Sequence, residues 1–483
     1  MSTSIKKNVV AKSLLTIVNI VIPMLLGPYI ARTLDVALYT VYNKALTLMA
    51  WFLPFALFGI PTFGLREISA VKYDKGELNR RFSQIFYFNI LSSFITSVAF
   101  FLIIFFKFNI AVYYLLLLQL FSTFLSVEYV NEAFENFGFI LYKNLFLRII
   151  YIAFILIFVR RDSDIVSFTL ISTGFNILNN VFSFLYIKKY ICIVKCAVRD
   201  VFSQFKQLFP VLLLSNTGML YTNLDCLFLS RLEGYEITYY ILVRTILMSI
   251  INVFLSIIQV SIPRLSKFYA NGEKSAFLAL LKKSSNAFYF FGIPCCIGLS
   301  LLGREIMLLY GGEKYAAAGS VMSMFALRFI LYILITVATD AVLFTTRNEK
   351  KLTVIYLIGG CINILGNSLL VLFNRMTSVS VIITTMLAEL IVIFFQQYAI
   401  WRIDKNLITI TKDFFKYLLL SVMIVLLAIA FFPRLGVNAT VFERAIYLLK
   451  VTALCCGIYV VCLLLLKDTV IVSVLKILKK VLR

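Results

Sequence analysis

Apolar segments long enough to cross a lipid bilayer make up most of this chain, and they limit its fold more than any other feature. Of its 483 residues, 61% are hydrophobic and 14% are charged, and the mean hydropathy is +0.96. A helix needs about 20 apolar residues to cross the hydrocarbon core, where only helices or closed barrels satisfy every backbone group. The sequence therefore predicts an all-α integral membrane protein and excludes an ordinary soluble domain.

We predict about fourteen transmembrane helices, organised as two pseudo-symmetric six-helix bundles and two C-terminal helices. Residues 1–200 are the predicted N-terminal bundle and 201–405 the C-terminal bundle, while 406–483 hold the last two helices and an amphipathic interfacial tail. The predicted helices lie near residues 12–31, 39–63, 83–106, 110–130, 140–159, 165–187, 208–230, 238–262, 285–303, 317–345, 352–373, 378–400, 414–432 and 445–466.

A repeat with a spacing of roughly 200 residues supports the two bundles. Each copy occupies the same place relative to the long apolar segments, so the sequence predicts two homologous bundles that face one another across a cleft. That organisation is typical of a transporter. The matching positions are Tyr39 and Lys44 with Tyr239 and Arg244, Ile60-Pro61 with Ile262-Pro263, and Tyr73-x-x-Gly76-Glu77 with Tyr269-x-x-Gly272-Glu273.

The positive charges indicate the orientation in the membrane. The chain has 46 Lys and Arg against 23 Asp and Glu, for a formal charge of +23. Lys and Arg are retained on the cytoplasmic side, and basic clusters alternate along the chain as this rule requires when both termini are cytoplasmic. We interpret the charge as topology and attraction to anionic membrane lipids, not as nucleic-acid binding. The clusters are 72–81, 188–206, 264–283 and 402–416.

Several kinds of chemistry find no support in the sequence. The chain has no histidine, which excludes histidine acid/base catalysis, a histidine-ligated metal and a histidine proton relay. Its nine cysteines show no metal-ligand spacing. The loops are short and leave no room for a soluble catalytic domain. We therefore expect a protein that is not an enzyme and needs no cofactor.

Four short motifs carry a resemblance to a known family. In order along the chain they are Pro28-Tyr29-Ile30-Ala31-Arg32-x-Leu34, Gly64-Leu65-Arg66-Glu67-Ile68, Asn131-Glu132-Ala133-x-Glu135 and Pro263-Arg264-Leu265-Ser266. Placed among fourteen helices, they resemble the polysaccharide-transporter branch of the multidrug/oligosaccharidyl-lipid/polysaccharide (MOP) flippase superfamily. The resemblance implies a multi-pass protein of the bacterial cytoplasmic membrane that works in capsule, O-antigen or teichoic-acid pathways, alongside polysaccharide-assembly proteins. One departure is that Asp35 and Leu38 stand where many relatives have glycines.

Cations inside the predicted helices are the candidate substrate-binding residues, since a buried ion is costly and transporters retain one that faces a partner or an aqueous cavity. Lys44 and Arg244 occupy matching positions in the repeat, where both would face a diphosphate headgroup. Arg32 and Arg328 are the other two candidates. The alternative for each is a neighbouring carboxylate or an interfacial position. Asp340 and Glu389 are candidates to neutralise Arg328.

A second set of polar residues is a candidate sodium site. It consists of Asp225 in predicted helix seven, Asn363 and Asn367 in helix eleven, and Thr384 in helix twelve. Oxygen ligands suit a hard cation. The resemblance implies sodium binding at matching positions, although Asn367 stands where the family has a carboxylate. The alternative is a polar link between helices, and coupling to sodium or to protons stays open.

Two further acidic motifs are predicted to have structural roles. The segment Gly64-x-Arg66-Glu67 is expected to begin a cytoplasmic loop, where it ends a helix and forms a local ion pair. Glu128, Glu132 and Glu135 form an interfacial acidic face that we expect to pair with nearby basic residues.

The leading function is movement of an undecaprenyl-diphosphate-linked oligosaccharide or teichoic-acid repeat unit from the inner to the outer leaflet by alternating access. One alternative is a small-cation or drug exporter of the same superfamily, but a cavity with Lys44 and Arg244 would repel cations. Another is a membrane polymerase or glycosyltransferase acting on the same lipid precursor. Short outer loops and the lack of an acid/base pair count against it.

Overall fold

A computed structural model describes Leu14, residues 22–215, 219–433, 435–436 and 439–473. The chain divides into two units, Met1–Thr238 and Tyr239–Arg483, which we call unit 1 and unit 2. The described residues form helices and turns and contain no strand. The predicted all-α class is confirmed. The division at 200 and 405 stays a prediction, and the tail beyond residue 473 lies outside the described residues.

Unit 1 is a bundle of helices joined by short turns. A 3₁₀ turn, Ser122–Leu125, separates its fifth and sixth helices. The helices are α1 (22–33), α2 (Val36–Leu57), α3 (Ile60–Val71), α4 (Lys75–Lys107), α5 (Ala111–Phe121), α6 (Glu128–Ala133), α7 (Phe137–Phe158), α8 (Ile165–Ile187), α9 (Val198–Ser215), α10 (Met219–Ser230) and the first residues of α11 (Glu236–Ala270).

Unit 2 continues from α11 and includes one stretch of wider π-helix, Val337–Phe344, at the end of α14. Its α14 and α16 pack against each other, as do α15 and α16, and α12 lies against both α14 and α17. The helices after α11 are α12 (Lys274–Leu301), α13 (Gly303–Gly311), α14 (Ala318–Thr336), α15 (Glu349–Leu372), α16 (Ser378–Ile403), α17 (Lys412–Phe431) and α18 (Val441–Leu465).

Twelve helical segments within the described residues are long and apolar enough to span a membrane. They correspond to the predicted spans two to six and eight to fourteen. The predicted spans at 12–31 and 208–230 both include residues outside the described part of the chain. A multi-pass membrane protein is therefore established, and the count of fourteen stays a prediction.

The second predicted span is broken, which corrects the expectation of one helix over 39–63. Phe58 and Gly59 both adopt left-handed backbone, with φ of 49° and 77°, so α2 ends and α3 begins there. A side chain at Gly59 would come within 3.0 Å of Val211. The matching Ile-Pro of the repeat behaves differently, because Pro263 lies inside the continuous α11. The two copies therefore share sequence but not backbone at this point.

Gly64 does not begin a loop, which corrects a second expectation. It lies inside α3 and is buried against the ring of Tyr129, where an added Cβ would come within 2.5 Å of a ring carbon. The predicted ion pair next to it is confirmed, because the guanidinium of Arg66 lies 3.2 Å from Glu67. Gly64 thus allows α3 and α6 to approach closely, as small residues do between membrane helices.

Candidate functional site

Lys44 is held inside unit 1 by a single described hydrogen bond. The residue lies well within α2, is half-buried, and its Nζ donates to the backbone carbonyl of Leu232 at 2.7 Å. Next to it, Asn43 and Thr40 are buried and both bond the hydroxyl of Thr238, at 3.1 and 2.7 Å. A lysine ammonium has three donors. Lys44 therefore retains capacity to bond an anion while its position is fixed by a carbonyl.

Arg32 and Arg244 have different surroundings. Arg32 lies in the last turn of α1 and is exposed, while Arg244 lies within α11 of unit 2 and is half-buried. The turn after α1 is shaped by Asp35, which caps α2 by accepting from the backbone N–H groups of Ala37 and Leu38 at 2.8 and 3.1 Å. Asp35 thus serves as the N-cap of α2.

Arg328 is neutralised within unit 2, as the alternative expectation for it proposed. Its guanidinium lies on α14 and forms a two-pronged pair with Glu389 on α16 at 2.8 to 3.1 Å. Both side chains are about 5% exposed, and the ring of Phe325 lies 5.1 Å from the guanidinium carbon. Asp340, the other predicted partner, lies in the π-helical stretch. This arrangement favours a structural role for Arg328.

The predicted sodium ligands occur in both units. Asp225 is fully buried on α10 of unit 1. In unit 2, Thr384 donates to the side-chain oxygen of Asn367 at 2.6 Å, and Thr385 donates to that of Asn363 at 3.3 Å. Across the described residues, no cluster of three cysteines or carboxylates forms a metal site. The amides thus link α15 to α16, and sodium binding stays a prediction.

An apolar groove in unit 2 was not predicted from the sequence. It has a volume of about 500 Å³ and lies among α12, α13, α17 and α18. Most of its lining side chains are hydrocarbon, among them Phe291, Pro294, Ile424, Val451 and Val460. The short α13 contributes Ile306 to its wall, and a nine-residue helix gives no transmembrane signal. The groove has the shape and polarity to hold a hydrocarbon chain.

A buried lysine network in unit 1 was also missed. Lys143 is 2% exposed at its side chain, and its Nζ donates to Glu128 at 2.6 Å and to Ser183 at 2.5 Å. These residues lie on α7, α6 and α8, so one ammonium joins three helices. The predicted structural pairing of the acidic face is confirmed here, and Glu135 also lies 3.8 Å from Lys72.

The end of α18 is attached to α17 by a carboxylate outside the membrane-spanning segments. Asp468 is 3% exposed and accepts hydrogen bonds from Lys416, from the Tyr417 hydroxyl at 3.0 Å and from the backbone N–H of Val470 at 2.8 Å. Burial raises the pKa of Asp468, but these hydrogen bonds outweigh it and the net pKa is lowered. The charged form is thus favoured in the fold.

Comparisons with known proteins agree with this architecture. A putative O-antigen transporter of Shigella dysenteriae is 23% identical over 50% of this chain and 61% of its own length. The chain thus matches less than two thirds of that relative. The lipid II flippase MurJ, in an inward closed conformation, has a TM-score of 0.69 at 16% identity and covers 95% of this chain and 99% of its own. An inward-facing multidrug MATE transporter of the MOP superfamily has a TM-score of 0.51 at 10% identity, covering 80% of this chain and 99% of its own.

The fold defines a class of protein: an all-helical, multi-pass membrane protein with the fold seen in the MurJ flippase and in a MATE transporter. The family model described as polysaccharide biosynthesis protein matches residues 5–269, more than half of the chain, and the chain belongs to that family. The resemblance stated from the sequence motifs is therefore confirmed. Its relatives are named as transporters and flippases, not as enzymes.

Proposed function

We propose that this protein is a flippase of the bacterial cytoplasmic membrane, with both termini cytoplasmic. It moves an undecaprenyl-diphosphate-linked oligosaccharide or a teichoic-acid repeat unit from the inner to the outer leaflet by alternating access. Family membership and the names of the similar proteins support a lipid-linked polysaccharide precursor as the substrate class. The finer choice between capsule, O-antigen and teichoic acid is part of the proposal.

The observation that carries this proposal is the charged Lys44 inside a helix of membrane-spanning length. An ammonium inside a membrane-spanning helix is energetically costly, and such residues are usually retained for a function. Its one described hydrogen bond fixes the side chain without neutralising the charge, because the acceptor is a carbonyl and not a carboxylate. In this proposal Lys44 and Arg244 each bind the diphosphate, whose oxygens accept charge-assisted hydrogen bonds. Arg32 contributes at the exposed end of α1.

The apolar groove of unit 2 supports the same substrate class. A polyprenyl chain is hydrocarbon throughout, and the groove is lined mainly by apolar side chains. Phe291 and Tyr459 line its wall on α12 and α18. In our proposal the groove holds part of the lipid tail while the charged headgroup is bound elsewhere. A soluble cationic drug would have no need of such a groove.

Coupling to a cation gradient remains part of the proposal. A bound ion shifts the balance between two conformations only through different affinities for them. Asp225 and the amide pairs on α15 and α16 are the residues we assign to sodium, with protons as the alternative ion. Flux in proteoliposomes that is indifferent to both sodium and pH gradients would remove coupling from the account.

The test of the function is direct measurement of flipping. Purified protein is reconstituted into liposomes with a labelled undecaprenyl-diphosphate-linked oligosaccharide, and exposure of the label on the opposite leaflet is followed. We expect exposure to be faster than in liposomes without protein, and to be lost in a variant carrying Lys44→Gln and Arg244→Gln. Drug export would instead survive neutralisation of these two cations. Conversion of the labelled unit into longer chains would indicate a polymerase.

A further inference from the structure

A polar pocket lies between α7 and α8 of unit 1. Its volume is about 220 Å³, and six of its lining side chains carry polar groups: Asn144, Arg148, Tyr151, Ser172, Asn176 and Asn179. Both helices have membrane-spanning length and composition. Polar side chains in such a segment usually face a partner or an aqueous cavity. The pocket shares no residue with the cation candidates, the amide pairs or the apolar groove described above.

The polar lining residues form one stripe along each of the two helices. On α7 and again on α8, the three polar residues follow the spacing i, i+4, i+7, which places them on one side of the helix. At about 100° per residue, several exposed large apolar side chains fall on the opposite side. Those exposed side chains include Phe146 and Ile149 on α7, and Leu170 and Leu185 on α8.

The hydrogen bonds within the pocket leave much of its capacity unused. Asn176 donates to the backbone carbonyl of Ser172 at 2.9 Å, and the hydroxyls of Tyr151 and Ser172 lie 3.3 Å apart. The buried side-chain oxygen of Asn179 accepts no hydrogen bond from the described residues. Each carboxamide offers two donors and two acceptor lone pairs. The three amides together thus suit a ligand that carries several hydroxyl groups.

The remaining lining residues add a charge and an aromatic wall. Arg148 carries a guanidinium, which matches a carboxylate or phosphate with a planar fork of donors. The rings of Tyr151 and Phe175 meet edge to face, with centroids 5.6 Å apart. A simple link between two helices would need neither a cavity nor a charge. Hydroxyl-binding amides, an anion-binding fork and an aromatic surface together suit a sugar that bears an anionic group.

We propose that this pocket binds one sugar residue carrying a carboxylate or a phosphate, as part of the transported glycan. This inference rests on the proposed function. The volume of about 220 Å³ equals that of about seven water molecules at about 30 Å³ each, which suits a single ring and not a whole repeat unit. The pocket would select among glycans, while the diphosphate common to all of them binds to other residues.

The test measures binding of small probes to the purified protein in detergent by titration calorimetry. The probes are glucuronate and glucose 6-phosphate, with uncharged glucose and inorganic phosphate as comparators. We expect at least one anionic sugar to bind about tenfold more tightly than either comparator, a difference of about 1.4 kcal/mol. Glucuronate binding would identify a carboxylate ligand, and glucose 6-phosphate binding a phosphorylated one. Arg148→Gln should weaken that binding at least tenfold.

The control variant is Arg160→Gln, which removes an exposed arginine just after α7 and should bind the probes as the wild type does. Should Arg148→Gln fail to fold, Asn176→Ala replaces it, because Asn176 is exposed, and it should also weaken binding. The inference is overturned if neither anionic sugar binds, if inorganic phosphate binds equally well, or if the pocket variants bind normally. If the protein flips the lipid-linked oligosaccharide but binds no anionic sugar, only the proposed sugar site is refuted. If it binds the sugar but does not flip the oligosaccharide, only the proposed flippase function is refuted.

Discussion

Replacing one member of the Arg328 and Glu389 pair should destabilise unit 2 strongly. The two side chains are about 5% exposed and joined by two-pronged contacts at 2.8 to 3.1 Å. Removing Glu389 leaves an uncompensated guanidinium among apolar helices. Breaking a buried pair in this way costs about 3–5 kcal/mol, whereas replacing both members with apolar residues is often neutral. The double variant should therefore recover most of the stability lost in either single variant.

The size of the effect is measurable by thermal unfolding. A change of 1 kcal/mol shifts Tm by about 2–4 °C in a unit of this size, so the single variants Arg328→Met and Glu389→Leu should lose on the order of 10 °C. The assay follows reaction of the buried thiol of Cys296 on α12 with a fluorescent dye during heating in detergent. Exposed cysteines react before heating begins and provide the baseline.

Two results would refute this reasoning. Single variants as stable as the wild type would show that the pair contributes little, and a double variant as unstable as the singles would show that the cost is not electrostatic. The double variant also tests whether Arg328 binds substrate. Our account expects it to flip a lipid-linked oligosaccharide at nearly the wild-type rate, because the arginine serves the fold. A double variant that is stable but does not transport would indicate that Arg328 binds the substrate.

Three other substitutions test separate parts of the structure. Gly64→Ala places a Cβ within 2.5 Å of the ring of Tyr129 and should cost about 1–3 kcal/mol of unfolding free energy; Gly174→Ala, in open space on α8, is its matched control and should not lower Tm. Asp468→Asn should destabilise the protein at neutral pH by on the order of 2 kcal/mol, since it removes charged hydrogen bonds. The pKa of Asp468 is lowered in the folded protein. The stability that its charged form contributes is therefore complete above the unfolded pKa of about 3.9 and is lost as the pH falls through the folded pKa. The Tm values of wild type and variant should converge on acidification. Equal pH profiles would contradict this account. Cys455→Trp fills the apolar groove and should slow flipping while leaving Tm within a few degrees; unchanged flux would show that the groove holds no part of the substrate.

The fold was largely predictable because membrane-spanning helices can be recognised in a sequence by their length and apolar composition. The break at Phe58 and Gly59 was not predicted, although a glycine between Pro54 and Pro61 is a visible signal in retrospect. Short helices such as α13 escaped detection, because nine residues are too few to register as a membrane span. The apolar groove could not be anticipated, because most of its wall comes from α12, α17 and α18, and their packing together is not visible in the sequence.

The candidate site was less predictable, because partners lie far apart in sequence. The presence of a cation such as Arg328 in a helix was evident, but its two-pronged contact with a carboxylate 61 positions away required the packed structure. Periodicity offered one unused signal. The spacing of Asn144, Arg148 and Tyr151 already predicts that they lie on one face of a helix. That this face packs against the polar face of α8 to form a pocket is visible only in the structure. Lys143 lies near the start of the predicted span 140–159, and its role as a buried link between helices also required the packed structure.

The most direct test of the central claim is the rate at which a labelled undecaprenyl-diphosphate-linked oligosaccharide becomes exposed on the opposite leaflet of proteoliposomes. The comparison is between wild type, the double variant Lys44→Gln and Arg244→Gln, and a control that loses two exposed cations, Lys107→Gln and Arg160→Gln. Our account predicts flipping by the wild type and the control and none by the Lys44 and Arg244 variant. Equal flipping by all three proteins, or none by the wild type, would contradict it.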